Sequence, residues 1–199
     1  MKRFFGSAAV LALAFTVVAL PAQGQDNKPA GEKAEQKDMA KKEEMTSGGE
    51  RAAVLSQIDQ AREKLIALAE ATPADKFAWR PAQGVRSLGE VFAHVSGANY
   101  FLPTFWGSKI PAGVDPRGFE KEGGDKAKTI DTLKKSFDFL KQQIQAVPQA
   151  DLDKKIKMFG RDATVRDAMM VLASHGHEHL GQSIAYARMN GIAPPWSAQ

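Results

Sequence analysis

Apolar side chains recur along this chain at helical rather than strand spacing. From Glu50 onward, Val54, Leu55, Ile58, Leu65, Leu68 and Ala69 fall near the 3.6-residue period, and the run ends before Thr72-Pro73. Residues 73–86 form a loop whose Phe77 and Trp79 are expected to cover one end of the core. Ser87-Leu88-Gly89-Glu90 is a capping box that starts a second helix, predicted to run to about Trp106 with Leu88, Val91, Phe92, Val95, Leu102 and Phe105 buried. Residues 107–125, rich in Gly with Pro111 and Pro116, read as a long irregular connection. A third amphipathic helix spans Thr129 to Val147 and stops at Pro148. Lys155 to Phe159 suits a short strand turning at Gly160-Arg161-Asp162. Thr164-Val165-Arg166-Asp167 then caps a last helix, which runs to about Asn190 with Gly191 as its stop. Four amphipathic helices around one core predict an all-α four-helix bundle over residues 50–199.

The first 49 residues lack this pattern. Lys2 and Arg3 precede an apolar stretch from Ala8 to Leu20, which is shorter than the roughly 17 to 25 residues of a membrane span. Small residues Ala22 and Gly24 flank a cut before Gln25, so residues 1–24 read as a signal peptide cleaved near Gly24/Gln25. An uncleaved anchor is the alternative. Cleavage implies an exported protein, periplasmic or secreted, with no stable membrane span in the mature chain. Residues 25–49 mix Lys, Glu, Gln and Ala without aromatics, and read as a disordered charged linker made of good helix formers.

Composition narrows the chemistry. The chain has no cysteine, which excludes disulfides, thiolate nucleophiles and thiolate metal sites. From Glu50 onward there are 20 basic and 17 acidic side chains without a basic stripe, which argues against nucleic acid as a partner.

Histidine carries the candidate chemistry. His175 and His179 are spaced i, i+4 on the helix face that also holds Val165, Ala168, Met169, Leu172, Gly176 and Ser183. His94 lies between Val91 and Ala98, at the edge of the second helix's buried stripe. Imidazoles turned toward a core need partners, and three converging ones most simply share a metal. The alternative is that they pack in the core or cap backbone groups. Three His ligands leave a position open for water or substrate on Zn²⁺, which leans toward catalysis; nitrogen ligation also suits Ni²⁺, Cu²⁺ or Fe²⁺. His177, rotated 200° from His175, is expected at the surface. Glu178 is either a candidate catalytic base near the open position or an exposed carboxylate, and Gln182 either lines the pocket or orients a ligand. Trp79, Tyr100, Phe101, Phe105 and Trp106 either line a pocket near the site or, as is more common for aromatics at helical spacing, belong to the core, and Asn99 is a polar pocket candidate. No H-e-x-x-h zincin motif is present, since position 181 is Gly, and no G-x-S-x-G elbow exists.

Trp79-Arg80-Pro81, Gly84, Ser87, Glu90 and His94 resemble the DinB/YfiT-like superfamily of four-helix bundles. So do His175-x-x-x-His179-x-Gly181-Gln182 and the Pro194-Pro195 tail. The resemblance covers about residues 50–197. It implies a metal triad of His94, His175 and His179, a divalent metal (commonly Zn²⁺ or Ni²⁺, with Fe²⁺ or Mn²⁺ as further candidates) and a homodimer. It also implies a transferase or isomerase using a low-molecular-weight thiol, although many members have no known activity. This chain departs from the family in its export segment, since such thiols are scarce outside the cytosol, and in Leu180, where the family often has Arg. The expectation is an exported metal-dependent hydrolase or transferase acting on a small molecule. A non-catalytic bundle that binds metal or a small ligand is the alternative, and a structural bundle without metal is a third.

Overall fold

The computed structural model describes the backbone of residues 30–197, with side chains from Gly49 onward. The expected signal peptide and its cleavage site lie outside the described residues. The chain divides into two units, Met1–Asp38 and Met39–Gln199; in the first, the described residues are helical.

Four helices carry the fold: α1 (Ala30–Ala71), α2 (Leu88–Phe101), α3 (Lys126–Ala146) and α4 (Val165–Met189). Helix α1 starts well before Glu50, so most of the segment expected as a disordered linker continues the first helix. Its Ala, Glu, Lys and Gln content favours that conformation. The helices bury one shared core. Ile58, Leu65 and Leu68 of α1, Leu88 and Phe92 of α2, Phe137 and Ile144 of α3, and Met169 and Leu172 of α4 are all within it. Among the described residues, no helix is long and apolar enough to cross a membrane.

The helix ends follow the expected chemistry. Ser87 Oγ accepts from the Glu90 N–H (3.2 Å) while Glu90 Oε2 accepts from the Ser87 N–H (2.7 Å). Thr164 and Asp167 repeat this reciprocal pair at α4. Helix α4 closes with Gly191 at φ 73°, its N–H bonded to Arg188 and the Ile192 N–H to Ala187, a Schellman motif.

Two expected boundaries move. Helix α2 ends at Phe101 rather than Trp106, and Leu102–Trp106 continue as a 3₁₀ turn. Pro103 is the reason, because it has no N–H and its ring would meet the carbonyl four residues back in an α-helix. The predicted strand gains a partner: β1 (Lys155–Met158) pairs antiparallel with β2 (Arg161–Thr164). The turn is Phe159-Gly160, one residue earlier than expected, with φ 51° and 79°. Two positive φ values define the turn that matches strand twist, and it ordinarily selects Asn, Asp or Gly at the place Phe159 takes.

The long connection between α2 and α3 lies tightly against α2, and glycines permit it. A Cβ on Gly89 would sit 1.8 Å from the Gly123 carbonyl oxygen and 2.8 Å from Phe77 Cδ1. A Cβ on Gly97 would meet the Pro116 carbonyl oxygen at 2.8 Å. Gly89→Ala is therefore expected to destabilise the protein by about 3 kcal/mol, as overpacking against backbone does. Gly124→Ala, which meets nothing within 4 Å, is the control. Urea unfolding midpoints compare them, and equal midpoints would contradict this account of the contact.

Candidate metal centre

Helix α2 presents His94 and helix α4 presents His175 and His179, with His179 buried and the other two half-buried. The i, i+4 spacing stacks the α4 pair one turn apart. Small residues let α4 come close to α1 beside them: a Cβ on Gly176 would lie 3.2 Å from Ala61 Cβ.

The three Nε2 atoms converge. His175 Nε2 is 3.3 Å from His94 Nε2 and 3.1 Å from His179 Nε2. Their outer nitrogens decide which tautomer faces inward. His94 Nδ1 lies 2.8 Å from Glu120 Oε1; an ionised carboxylate only accepts, so Nδ1 donates and Nε2 keeps its lone pair. His179 Nδ1 donates to Gln182 Oε1 at 2.8 Å, which again leaves Nε2 as a lone pair. His175 Nδ1 is buried and has no hydrogen-bond partner among the described residues.

Protons cannot satisfy this cluster. One N–H on His175 Nε2 reaches one inward lone pair well and leaves the other facing it. A second proton is opposed by burial, then by His179, His94 and Arg86, which together lower the His175 pKa from 6.5 to about 3. Burial leads the downward shift of His94 as well, against the hydrogen bond to Glu120. A cation resolves the conflict. Nitrogen ligands at about 2.0–2.1 Å around one tetrahedral ion stand roughly 3.3–3.4 Å apart, close to the separations present. The residues fit a divalent metal, and the three histidines could hold one.

Supports extend outward from the ligands. Arg86 grips Glu120 with two bonds, Nε to Oε2 at 2.9 Å and Nη2 to Oε1 at 3.1 Å. Burial pushes the Glu120 pKa up, but the bonds from Arg86 and His94 outweigh it and hold the carboxyl below its ordinary range. On the other flank, Gln182 Nε2 donates to the Tyr186 hydroxyl at 3.1 Å, and Trp79 packs edge-on against Tyr186 with centroids 5.6 Å apart. Imidazole ligands commonly rely on such outer hydrogen bonds for orientation and basicity.

The chain matches the sequence model of the DinB superfamily over residues 57–183. The chain belongs to the DinB superfamily. One solved structure, the first of two similar ones, shares the fold. A DinB-like protein from Bacillus cereus ATCC 10987 is 20% identical with TM-score 0.60, covering 71% of this chain and 93% of its own. A DinB-like protein from Bacillus subtilis, YjoA, is 21% identical with TM-score 0.47 over the same shares. Comparison with curated proteins gives no match.

In this DinB-superfamily chain the other expected site residues separate. Gln182 accepts from His179 Nδ1, which fixes that ring, and it also lines a cavity with Arg86 and Tyr186. Glu178 is exposed and makes none of the described hydrogen bonds to the triad. His177 is half-buried and donates to the Gln57 carbonyl at 3.1 Å, tying α4 to α1. Asn99 donates to Ser136 Oγ inside the core, and Tyr100 packs on Phe119 and Phe139. Trp106 lines a separate, smaller hollow, whereas Phe101 lines the cavity beside the triad. Glu120 was not foreseen, since it lies in the connection without periodicity.

Glu120→Ala removes the acceptor for His94 while leaving all three imidazoles. It is expected to weaken metal binding about 10- to 100-fold, measured by competition with a chromophoric chelator. The control is Glu122→Ala, whose carboxylate pairs with Lys128 instead. Equal affinities in the two variants would show that Glu120 does not support the site.

Proposed function

We propose that this protein is an exported metal-dependent enzyme, a hydrolase or transferase acting on a small molecule at the histidine triad. The carrying observation is the inward set of Nε2 lone pairs, two of them fixed by Glu120 and Gln182. Zinc or nickel is the metal we favour, with Fe²⁺ or Mn²⁺ the further candidates; imidazole donors suit zinc, nickel and iron best. Such an ion supplies Lewis-acid polarisation of a substrate oxygen and activation of water near neutral pH. Glu120 and Gln182 hold His94 and His179 in the ligating tautomer. Arg86 keeps Glu120 ionised and aimed.

The site offers one cavity of about 910 Å³ whose wall includes His94 and His175, so a small molecule has a route to the triad. Export rests on the basic-then-apolar segment before Gln25. A second reading, a binder without turnover, is favoured by one observation. Both oxygens of Glu120, the carboxylate that touches the triad, are already engaged by Arg86 and His94, which leaves it poorly placed as a general base.

The test starts with protein recovered from the exported fraction, where Gln25 is expected as the first residue. Screened against small esters, amides and thiol adducts, it is expected to lose turnover on chelation, regain it with Zn²⁺ or Ni²⁺, and show none as His175→Ala. Activity that survives metal loss would reject the metal-dependent reading. Ligand-induced stabilisation without turnover would establish the binder instead.

A further inference from the structure

Two cavities meet at Glu120. One, of about 670 Å³, is lined by charged groups including Arg80, Arg86, Glu90 and Lys121, and no triad histidine lies on its wall. The other, of about 910 Å³, has His94 and His175 on its wall and is otherwise largely apolar. Phe101, Leu102, Ile110, Val114, Phe159 and Val171 are among its lining residues. Its remaining charged residues, Asp115 and Arg117, are of opposite sign, and with Glu120 held by Arg86 the chamber offers little to a strongly charged guest.

An aromatic cluster from three elements reaches the chamber through Phe101 and Phe159. Phe159, at the β1–β2 turn, packs edge-on against Phe105 with centroids 4.9 Å apart, and Phe105 packs against Phe101 at 5.4 Å. Phe159 stays 64% exposed and Phe101 37%. Phe159 also takes a left-handed backbone conformation, φ 51°, in a turn that prefers Asn or Gly. A large apolar residue that breaks the turn's rule, without being buried by the fold, marks a position selected for something other than folding.

We propose that the chamber binds small molecules with an uncharged apolar body and one polar end directed at the triad, and that Phe159 sets this preference by capping the body. This rests on the proposed function for the identity of the polar end. The apolar body is argued from the chamber alone. Each methylene taken from water into such a chamber tightens binding about fourfold when fully buried. A guest gains by length until the chamber is filled.

Alkyl hydroxamates test this on the zinc-loaded full chain by calorimetry, because the head group is constant and the tail varies. Hexanohydroxamate, with four more methylenes, is expected to bind up to roughly 250-fold tighter than acetohydroxamate. Phe159→Asn, which places a favoured residue in the turn, is expected to keep or raise the melting temperature while cutting that ratio about tenfold. A wild-type ratio near one would overturn the proposal for the chamber, and an unchanged ratio in Phe159→Asn would overturn the role of Phe159. On metal-free protein, hexan-1-ol is expected to displace 8-anilinonaphthalene-1-sulfonate at lower concentration than ethanol, with Phe159→Asn narrowing the gap. A chain that binds no metal yet keeps this alcohol preference overturns the proposed function and supports the chamber. A chain that binds zinc and hydroxamates without length preference does the reverse.

Discussion

The hydrogen bond from His94 Nδ1–H to Glu120 determines what the centre of the protein can be. It turns the Nε2 lone pair of His94 inward, and Gln182 does the same for His179. Two inward lone pairs within reach of His175 Nε2, in a place where burial opposes protonation, form an arrangement that a neutral protein tolerates poorly. The outer acceptors therefore suit the three histidines to serve together as a ligand set for a metal ion. Removing a ligand deletes a donor atom. Removing an acceptor frees the tautomer and lets the ring turn.

The same constraint explains the loop between α2 and α3. Glu120 is useful only if its segment is held against α2. Gly89 and Gly123 allow backbone to touch backbone there, and Gly97 allows Pro116 to do likewise further along. This packing also shapes the apolar chamber, whose lining includes residues of both α2 and the connection. Ligand orientation and access to the triad thus depend on a few missing Cβ atoms. Side chains at Gly89 or Gly97 would strain both.

Much of this was legible in the sequence, for local reasons. The i, i+4 spacing of His175 and His179, the Ser87–Glu90 and Thr164–Asp167 caps and the Gly191 stop are short-range patterns, and the structure repeats them. Motif residues such as Trp79, Arg80 and Glu90 now have physical roles. Trp79 backs Tyr186 and through it Gln182, and Arg80 pairs with the capping Glu90 at 2.8 Å. What escaped depends on tertiary approach. Glu120 reaches His94 across 26 positions from a stretch with no period. Strand β2 is polar and lacks alternation, so only its pairing with β1 reveals it. Glu178 looked eligible by its proximity in sequence to both ligands, yet the face that it occupies is exposed.

The central claim is that the three Nε2 atoms hold one divalent ion. Elemental analysis of the full chain, produced without an affinity His-tag, tests it most directly beside a His94→Ala/His175→Ala/His179→Ala variant. About one equivalent of metal in the wild type and none in the variant is the result this account requires. Equal metal in both, or none in either after incubation with Zn²⁺ or Ni²⁺, would contradict it and return the triad to the core as ordinary buried histidines.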